Sequence, residues 1–323
     1  MWTRITRELT ARGLSERTAG LLLNSLRPSI ASAVWWMSGE NFTSSTQKDL
    51  ALVGHLDLVE FLEELYFEKG LGYSALNTAR SAVSTMLELL YDNPIGKHAL
   101  VCRFLRGVFQ SRPSLHRYAS AWDVDKVLSS LNFDSLSIDL SRLTRKFATL
   151  LAILSAQRVA TISSLNWKDL DVSNGRLVIQ VTSLVKQSRP GFHQAPLVFD
   201  RYTKCPNLCM LTQADLYLRR TEAYRCKPNT ARLLLTTTVP QHSATKNTIG
   251  NWIRRTLTEA GFPVTAPHST RSAAASKAVL QLPVDTVLKA GGWSAVSSVF
   301  PKYYSKPIVN EGIDHAILSQ FSG

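Results

Sequence analysis

The chain reads A-P-H-S-T-R-S-A-A-A-S-K at residues 266–277, L-P-V-D-T-V-L-K-A-G-G-W-S at residues 282–294 and V-F-P-K-Y-Y-S-K at residues 299–306. His268 and Arg271 stand three positions apart, and helical spacing puts them on one face. A Gly-Gly-Trp turn ending at Trp293 follows, and then the adjacent Tyr303 and Tyr304. An imidazole, a guanidinium fork and a phenol oxygen within reach of one another suit a phosphate diester. Taken alone, the pattern also fits an ordinary surface helix with a tyrosine-rich tail.

The charge balance favours a polyanionic partner. The 323 residues contain 37 Lys and Arg against 24 Asp and Glu, a formal net charge of +13, and the sequence pI is about 9.8. Nucleic acid is the commonest such partner, although ribosomal and membrane-surface proteins share this balance. The length and the apolar share of 45% predict about two domains with real cores.

The cysteines and the apolar runs exclude several classes of protein. Cys102, Cys205, Cys209 and Cys226 are scattered, with no C-x-x-C pair and no histidine at zinc spacing. We therefore expect no metal site and a reducing compartment. No apolar run is long enough to span a bilayer and no apolar leader begins the chain, which predicts a soluble intracellular protein. The pattern G-x-x-x-x-G-K-[ST] is missing, and no cofactor is expected.

The first third of the chain predicts only helices. A helix capped by a serine begins near Leu14, and amphipathic helices follow at residues 56–67, 75–91 (capped by Ser74) and 100–110. Trp35 and Trp36 are expected in the core, together with the helical stripes Leu58, Phe61, Leu62, Leu65, Leu76, Ala79, Val83, Met86, Leu87 and Leu90. The polar stretch at 111–121 indicates a linker, or a basic hinge along a DNA backbone, because it carries Arg112, His116 and Arg117.

The remaining two thirds mix helices with strands. Strands are predicted at 176–182 and 195–199, with a shorter β-like run at 232–238; helices are predicted at 122–131, 140–156, 205–220, 247–260, 269–280, 283–289, 296–304 and 308–321.

Two basic residues in this part stand out by position. Arg158 follows the most apolar helix, where burial is costly unless an anion meets the guanidinium. The alternatives are an arginine that extends to water or pairs with a carboxylate. Lys186 is predicted at a hairpin tip, either as a solvated charge or as a group that reaches into a groove.

The order of these residues resembles that of the tyrosine recombinases, the phage-integrase family: Arg158, Lys186 on a hairpin, H-x-x-R at 268–271, Trp293 and a terminal tyrosine. Residues 115–306 resemble the catalytic domain and residues 1–110 the helical core-binding domain. The wording is most similar to the integrases of DIRS-type eukaryotic retroelements, in L-G-Y-S-A-L-N-T-A-R-S-A from Leu71, V-K-Q-S-R-P-G from Val185, D-T-V-L-K-A-G-G-W-S from Asp285 and F-P-K-Y-Y from Phe300.

The resemblance implies a mainly α fold with a small β-sheet (α+β). A SAM-like helical core-binding domain would occupy residues 1–112. A tyrosine-recombinase catalytic domain with a C-terminal helical tail would occupy residues 113–323. Two departures stand out: Thr161 occupies a position that is often acidic in the family, and the interval from Trp293 to the tyrosines is longer by a residue or two. The F-x-K-[FY]-Y motif favours Tyr304 as the nucleophile, whereas the spacing from Trp293 alone favours Tyr303.

The resemblance also implies roles. The tyrosine attacks the scissile phosphate of duplex DNA, Arg158 and Arg271 clamp the phosphate, and Lys186 protonates the leaving oxygen. His268 takes the tyrosine proton or holds a phosphate oxygen. Trp293 either donates its indole N–H to the phosphate or packs to place the nucleophile helix. Further arginines are expected to bind DNA: Arg103, Arg106, Arg112, Arg117, Arg189, Arg254 and Arg255.

Family members act as tetramers on DNA, so a homotetramer formed through the C-terminal segment is implied, as is residence in the nucleus. Three other functions stay open at this point. The first is an inactive, co-opted DNA-binding protein that keeps the fold. The second is a structural or RNA-associated basic protein, and the third is a DNA-relaxing activity like that of type IB topoisomerases.

Overall fold

A computed structural model describes residues 2–25, 50–113, 122–186, 188–191, 193–262, 269–293 and 300. The chain divides into two compact units, residues 1–117 and 118–323. The predicted fold class, mainly α with a small β-sheet, is confirmed. Outside the described residues lie the core positions of Trp35 and Trp36, most of the linker at 111–121, the helix at 308–321 and, apart from Phe300, the helix at 296–304.

The described part of the first unit is helical. Every residue of the predicted core stripes is buried, which confirms the 3.6-residue periodicity. The predicted serine cap is Ser15, whose Oγ accepts a hydrogen bond from the Thr18 amide at 3.1 Å. The helices are α1 (Trp2–Ala11), α2 (Glu16–Asn24), α3 (His55–Phe67), α4 (Tyr73–Tyr91) and α5 (Ala99–Ser111).

The prediction that Ser74 caps α4 is wrong. The helix begins at Tyr73 and Gly72 is its N-cap. The Gly72 carbonyl accepts the amides of Ala75 at 3.0 Å and Leu76 at 3.2 Å, so the helical ladder already includes Ser74.

The second unit combines helices with one three-stranded sheet. Its described helices are α6 (Val124–Leu131), α7 (Leu140–Ser155), α8 (Val159–Ser164), α9 (Met210–Thr221), α10 (Lys246–Glu259), α11 (Ser269–Ala278) and α12 (Val284–Gly291). The strands are β1 (Leu170–Ser173), β2 (Arg176–Ile179) and β3 (Leu197–Asp200), antiparallel in the order β1-β2-β3.

The apolar helix α7 lies at the centre of this unit, in contact with α9, α10 and α11. Leu143, Phe147 and Leu150 on it are fully buried. Lys146 is buried as well, and its Nζ donates to the Phe133 carbonyl and to Ser135 Oγ, both at 2.7 Å. Because burial disfavours the charged ammonium, the pKa of Lys146 falls from 10.5 to about 8.

The strands are shorter than predicted, and β1 was not predicted. β2 ends at Ile179, which is opposite Leu197 of β3, and the Gln180 amide just beyond it donates to the Asp169 carbonyl at 3.0 Å. β3 begins at Leu197, so a long loop at 180–196 joins the two strands. Because β2 and β3 are antiparallel neighbours, this loop connects the two strands of a β-hairpin, and Lys186 lies within that connection, as predicted.

Other predicted bounds also need correction. The run at 232–238 is not a strand: single bridges join Arg232 to Asn166 and Leu235 to Ser243. The helix predicted from residue 205 begins at Met210, because Pro206–Leu208 forms a separate 3-10 turn and Cys209 is extended. None of the described helices is long and apolar enough to cross a membrane.

Candidate active site

A three-residue loop, residues 156–158, connects α7 to α8. Ala156 ends α7 in the left-handed conformation, with φ 50° and ψ 26°, so the chain turns sharply at this point. Arg158 is extended and is the N-cap of α8. Arg158 was predicted at the end of the apolar helix. It lies just beyond that end, between α7 and α8, and both helices restrict its backbone.

The Arg158 side chain is half-buried. Its Nη1 atom is buried and has no hydrogen-bond partner among the residues that the structure describes. The described ion pairs also leave it out, so the carboxylate-paired alternative for Arg158 is not seen in that part of the chain. A buried guanidinium nitrogen without an acceptor is costly, and an anionic oxygen would satisfy it.

Arg271 lies on α11 and is only 3% exposed. Its Nη1 donates to the Ala156 carbonyl at 2.8 Å, which brings the second guanidinium to the loop that carries Arg158. Small residues make this burial feasible, because Ala273, Ala274 and Ala275 let α11 pack closely against its neighbours.

The Trp293 ring covers this arginine. The Arg271 Cζ lies 3.5 Å from the ring centroid, a close cation–π contact. Gly292 turns the chain at the end of α12 with φ 71°, and the Trp293 amide donates to the Leu288 carbonyl at 2.8 Å. The Phe300 ring meets the indole edge-on, with centroids 5.0 Å apart. Trp293 therefore packs between Arg271 and Phe300, and its role in placing the nucleophile stays a prediction.

Gln157 is a site residue that the sequence reasoning missed. Its side chain is buried, and Nε2 donates to the Ala290 carbonyl at 2.8 Å, across 133 positions of sequence. Its place next to Arg158 was the only signal, and no local pattern predicts the contact.

Lys186 is exposed. Its loop is nevertheless anchored. Ser183 Oγ donates to the Ser164 carbonyl at 3.3 Å, at the end of α8. Arg232, a second missed residue, donates from Nη1 to Ser183 Oγ at 3.1 Å. These bonds attach the start of the Lys186 loop to the end of α8 at Ser164, which lies six residues after Arg158 in the sequence.

The structure brings together Arg158, Arg271 and Trp293. Three further predicted residues, His268, Tyr303 and Tyr304, lie outside the described residues, as does Arg117. Thr161 is buried on α8, one turn from Arg158.

The expected DNA-binding arginines differ in their surroundings. Arg103 and Arg106 are exposed on α5, three positions apart and therefore on one face. Arg112 lies over the Tyr66 ring at 4.9 Å and donates to the Gly70 carbonyl.

In the second unit, Arg189 is exposed, Arg254 donates to Asn251 Oδ1, and Arg255 pairs with Glu259 at 2.9 Å. None of these placements tests DNA binding.

The chemistry available at the loop is that of an oxyanion site. The Arg271 guanidinium binds the loop that carries Arg158, and Arg158 Nη1 is a buried nitrogen with no acceptor in the described part of the chain. Guanidinium forks match the paired oxygens of a phosphate, and exclusion of water strengthens that attraction.

The chain matches the phage integrase family over residues 125–308. This segment contains every candidate catalytic residue named above. A comparison with curated proteins found no significant match.

Solved structures of recombinases share the fold. A lambda integrase dimer bound to a COC′ core site is 16% identical with a TM-score of 0.53, and the match covers 96% of each chain. A lambda integrase tetramer bound to a Holliday junction is 15% identical with a TM-score of 0.51, covering 97% of this chain and 78% of that one.

The Tn1549 transposon integrase in complex with transposon right end DNA is 14% identical with a TM-score of 0.52, covering 85% of this chain and 88% of that one. At these identities the likeness establishes the fold.

Proposed function

The chain belongs to the phage integrase family, and we propose that it is a site-specific DNA recombinase that cuts and rejoins duplex DNA through a 3′-phosphotyrosine intermediate. One observation carries the proposal. Arg271 is buried between the Ala156 carbonyl and the Trp293 ring, beside an Arg158 whose Nη1 has no acceptor in the described residues. A phosphate diester supplies negative oxygens that suit two guanidinium forks, including an acceptor for the buried Arg158 Nη1.

The proposed reaction needs a nucleophile, a clamp and two proton transfers. The tyrosine oxygen forms a bond to phosphorus as the bond from phosphorus to the 5′ oxygen breaks. Negative charge accumulates on the non-bridging oxygens, where Arg158 and Arg271 stabilise it. The phosphotyrosine ester retains the bond energy, so a 5′-hydroxyl reverses the step in rejoining. We assign the nucleophile to Tyr304, with Tyr303 as the alternative.

Proton transfer is assigned to the remaining basic residues. Lys186 donates a proton to the departing 5′ oxygen, a role suited to an exposed ammonium on a loop that can approach DNA. His268, three residues before Arg271, accepts the tyrosine proton or binds a phosphate oxygen. The Trp293 ring lies 3.5 Å from the Arg271 Cζ and so orients the clamp.

The proposed partner is duplex DNA, bound chiefly through phosphate contacts by Arg103, Arg106, Arg112, Arg117, Arg189, Arg254 and Arg255. The net charge of +13 supports this partner. A homotetramer assembled on DNA through the C-terminal segment, residence in the nucleus and service to a mobile element of the DIRS type complete the proposal. A transposon integrase and a tetrameric integrase share the fold, which is consistent with these points.

The test compares cleavage with binding in Arg→Lys variants. Arg158→Lys and Arg271→Lys keep a charge but lose the fork, and each should slow covalent cleavage of nicked duplex DNA by about 100-fold or more. Binding affinity should change by less than about 10-fold, because many other phosphate contacts remain. The matched control is Arg176→Lys, at an exposed arginine of β2 that pairs with Asp200 at 2.6 Å.

Cleavage by the control should equal that of the wild type. Unimpaired cleavage by either site variant would refute the clamp. Tight binding with no cleavage by the wild type would instead support the inactive DNA-binding alternative.

A further inference from the structure

Gln157 occupies the middle of the loop at 156–158, between the carbonyl that binds Arg271 and the residue Arg158. Its side chain is 2% exposed. Its amide nitrogen donates to the Ala290 carbonyl at 2.8 Å. The loop thus has two links to later parts of the chain, one to α11 through Ala156 and one to α12 through Gln157.

The Ala290 carbonyl needs a partner from outside its helix. It belongs to the last turn of α12, where carbonyls lack amides of the same helix. The amides that follow are used elsewhere, since Gly292 donates to Lys289 and Trp293 donates to Leu288. The Gln157 amide therefore completes the C-terminal cap of α12, immediately before the turn that sets the Trp293 ring on Arg271.

From these contacts we infer that Gln157 is a positioning residue. It fixes the Gly-Gly-Trp turn against the Arg158 loop, so that Arg158, Arg271 and the Trp293 ring keep one geometry. The expected effect on cleavage rests on the proposed function. The expected effect on the structure of the turn rests only on the two hydrogen bonds.

Stability alone does not account for a glutamine at this position. Its Oε1 is buried and has no hydrogen-bond partner in the described part of the chain. A methionine of similar length would leave the Ala290 carbonyl unpaired but would remove the unpaired Oε1. The two effects oppose each other and are of similar size. We therefore expect Gln157→Met to shift the melting temperature by less than about 4 °C.

The expected effect falls on the chemical step. A displacement of about 1 Å in a catalytic group lowers rates by about 100-fold, so Gln157→Met should slow covalent cleavage by about 10- to 100-fold. The affinity for duplex DNA should remain within about 3-fold of the wild type, because phosphate contacts across the surface dominate binding.

A second variant gives a readout that a merely structural residue would not give. In Gln157→Glu, the ionised carboxylate cannot donate to the Ala290 carbonyl, whereas the protonated carboxyl can. Burial raises the pKa of such a carboxyl. The cleavage rate of Gln157→Glu relative to the wild type should therefore rise as the pH falls.

The experiment uses the full chain with Gln157→Met, Gln157→Glu and the control Gln281→Met, which changes an exposed glutamine between α11 and α12. We would measure covalent cleavage of nicked duplex DNA and hydrogen exchange of the amides at 288–293. Exchange should be about 10-fold faster in Gln157→Met and unchanged in Gln281→Met.

The exchange measurement separates this inference from the proposed function. If the wild type forms no covalent adduct but Gln157→Met still speeds exchange at 288–293, the structural link stands and the proposed function fails. If the wild type cleaves and Gln157→Met matches it in both cleavage and exchange, the inference is overturned.

Discussion

Replacing Gly291 with alanine tests the geometry around Trp293. An added Cβ at this position would lie 1.9 Å from Trp293 Cζ3 and 2.3 Å from Cε3. Carbon atoms in contact stay about 3.5–4.0 Å apart, so the ring has to move by roughly 1.5–2 Å. Arg271 at 3.5 Å and Phe300 at 5.0 Å from the ring centre restrict that movement.

The expected cost follows from three effects. Overpacking of a buried site costs about 1–3 kcal/mol, and a desolvated cation–π contact contributes about 2 kcal/mol. Alanine in place of glycine in a helix returns about 1 kcal/mol. Gly291→Ala should therefore lower the free energy of unfolding of the second unit by about 2–4 kcal/mol. Cleavage should slow by at least about 10-fold, because the ring leaves the face of Arg271.

The assay is urea denaturation followed by amide hydrogen exchange, which reports on the two units separately. The control is Gly107→Ala on α5, where an added Cβ meets no atom within 4 Å. That variant should be neutral or more stable by up to about 1 kcal/mol. A Gly291→Ala protein as stable and as active as the wild type would show that the Trp293 ring does not occupy this position.

Four further predictions follow from other contacts. The pKa of Lys146 is lowered to about 8 in the folded protein, so between about pH 8 and 10.5 the unfolded chain holds a proton that the folded chain has lost. The free energy of unfolding should therefore rise with pH in this range. The rise should be smaller in Lys146→Met, and an equal rise in that variant would contradict the account. Trp122 Nε1 donates to Ser269 Oγ at 3.0 Å, so a double-mutant cycle of Trp122→Phe and Ser269→Ala should give a coupling of about 0.5–1.5 kcal/mol, whereas zero coupling would exclude the bond. Lys186→Ala should slow cleavage by about 100-fold or more on normal DNA but far less on a substrate with sulfur as the 5′ bridging atom, since a thiolate leaves without protonation; an equal defect on both substrates would remove Lys186 as the acid. Arg103→Gln should lower the slope of log affinity against log salt by about one, and an unchanged slope would place Arg103 away from the DNA.

Local periodicity explains what could be predicted from the sequence. The stripes of α3 and α4 repeat apolar residues every three or four positions, so residues such as Leu58 and Leu87 were assigned correctly to the core. The fold class and the family followed from the order of the candidate residues. Arg158, Arg271 and Trp293 were named, and the structure brings those three together.

Contacts between distant segments could not be predicted. The bond from Gln157 to Ala290 joins positions 133 apart and leaves no local pattern. The end of α7 near residue 156 was predicted, but the left-handed turn at Ala156, a conformation that usually signals glycine, and the short helix α8 that follows were not. The strand β1 is mostly exposed and lacks an alternating pattern, and β2 ends at Ile179 although β-prone residues continue to Thr182.

The most direct measurement of the central claim is covalent trapping. The full chain would be incubated with nicked duplex DNA from the ends of the proposed mobile element, and the protein–DNA adduct would be mapped by mass spectrometry. We predict an adduct on Tyr304 that disappears in Tyr304→Phe and in Arg271→Ala; an adduct on Tyr303 would keep the reaction and change the nucleophile. Tight, salt-sensitive binding to the same DNA with no adduct on either tyrosine would contradict the account.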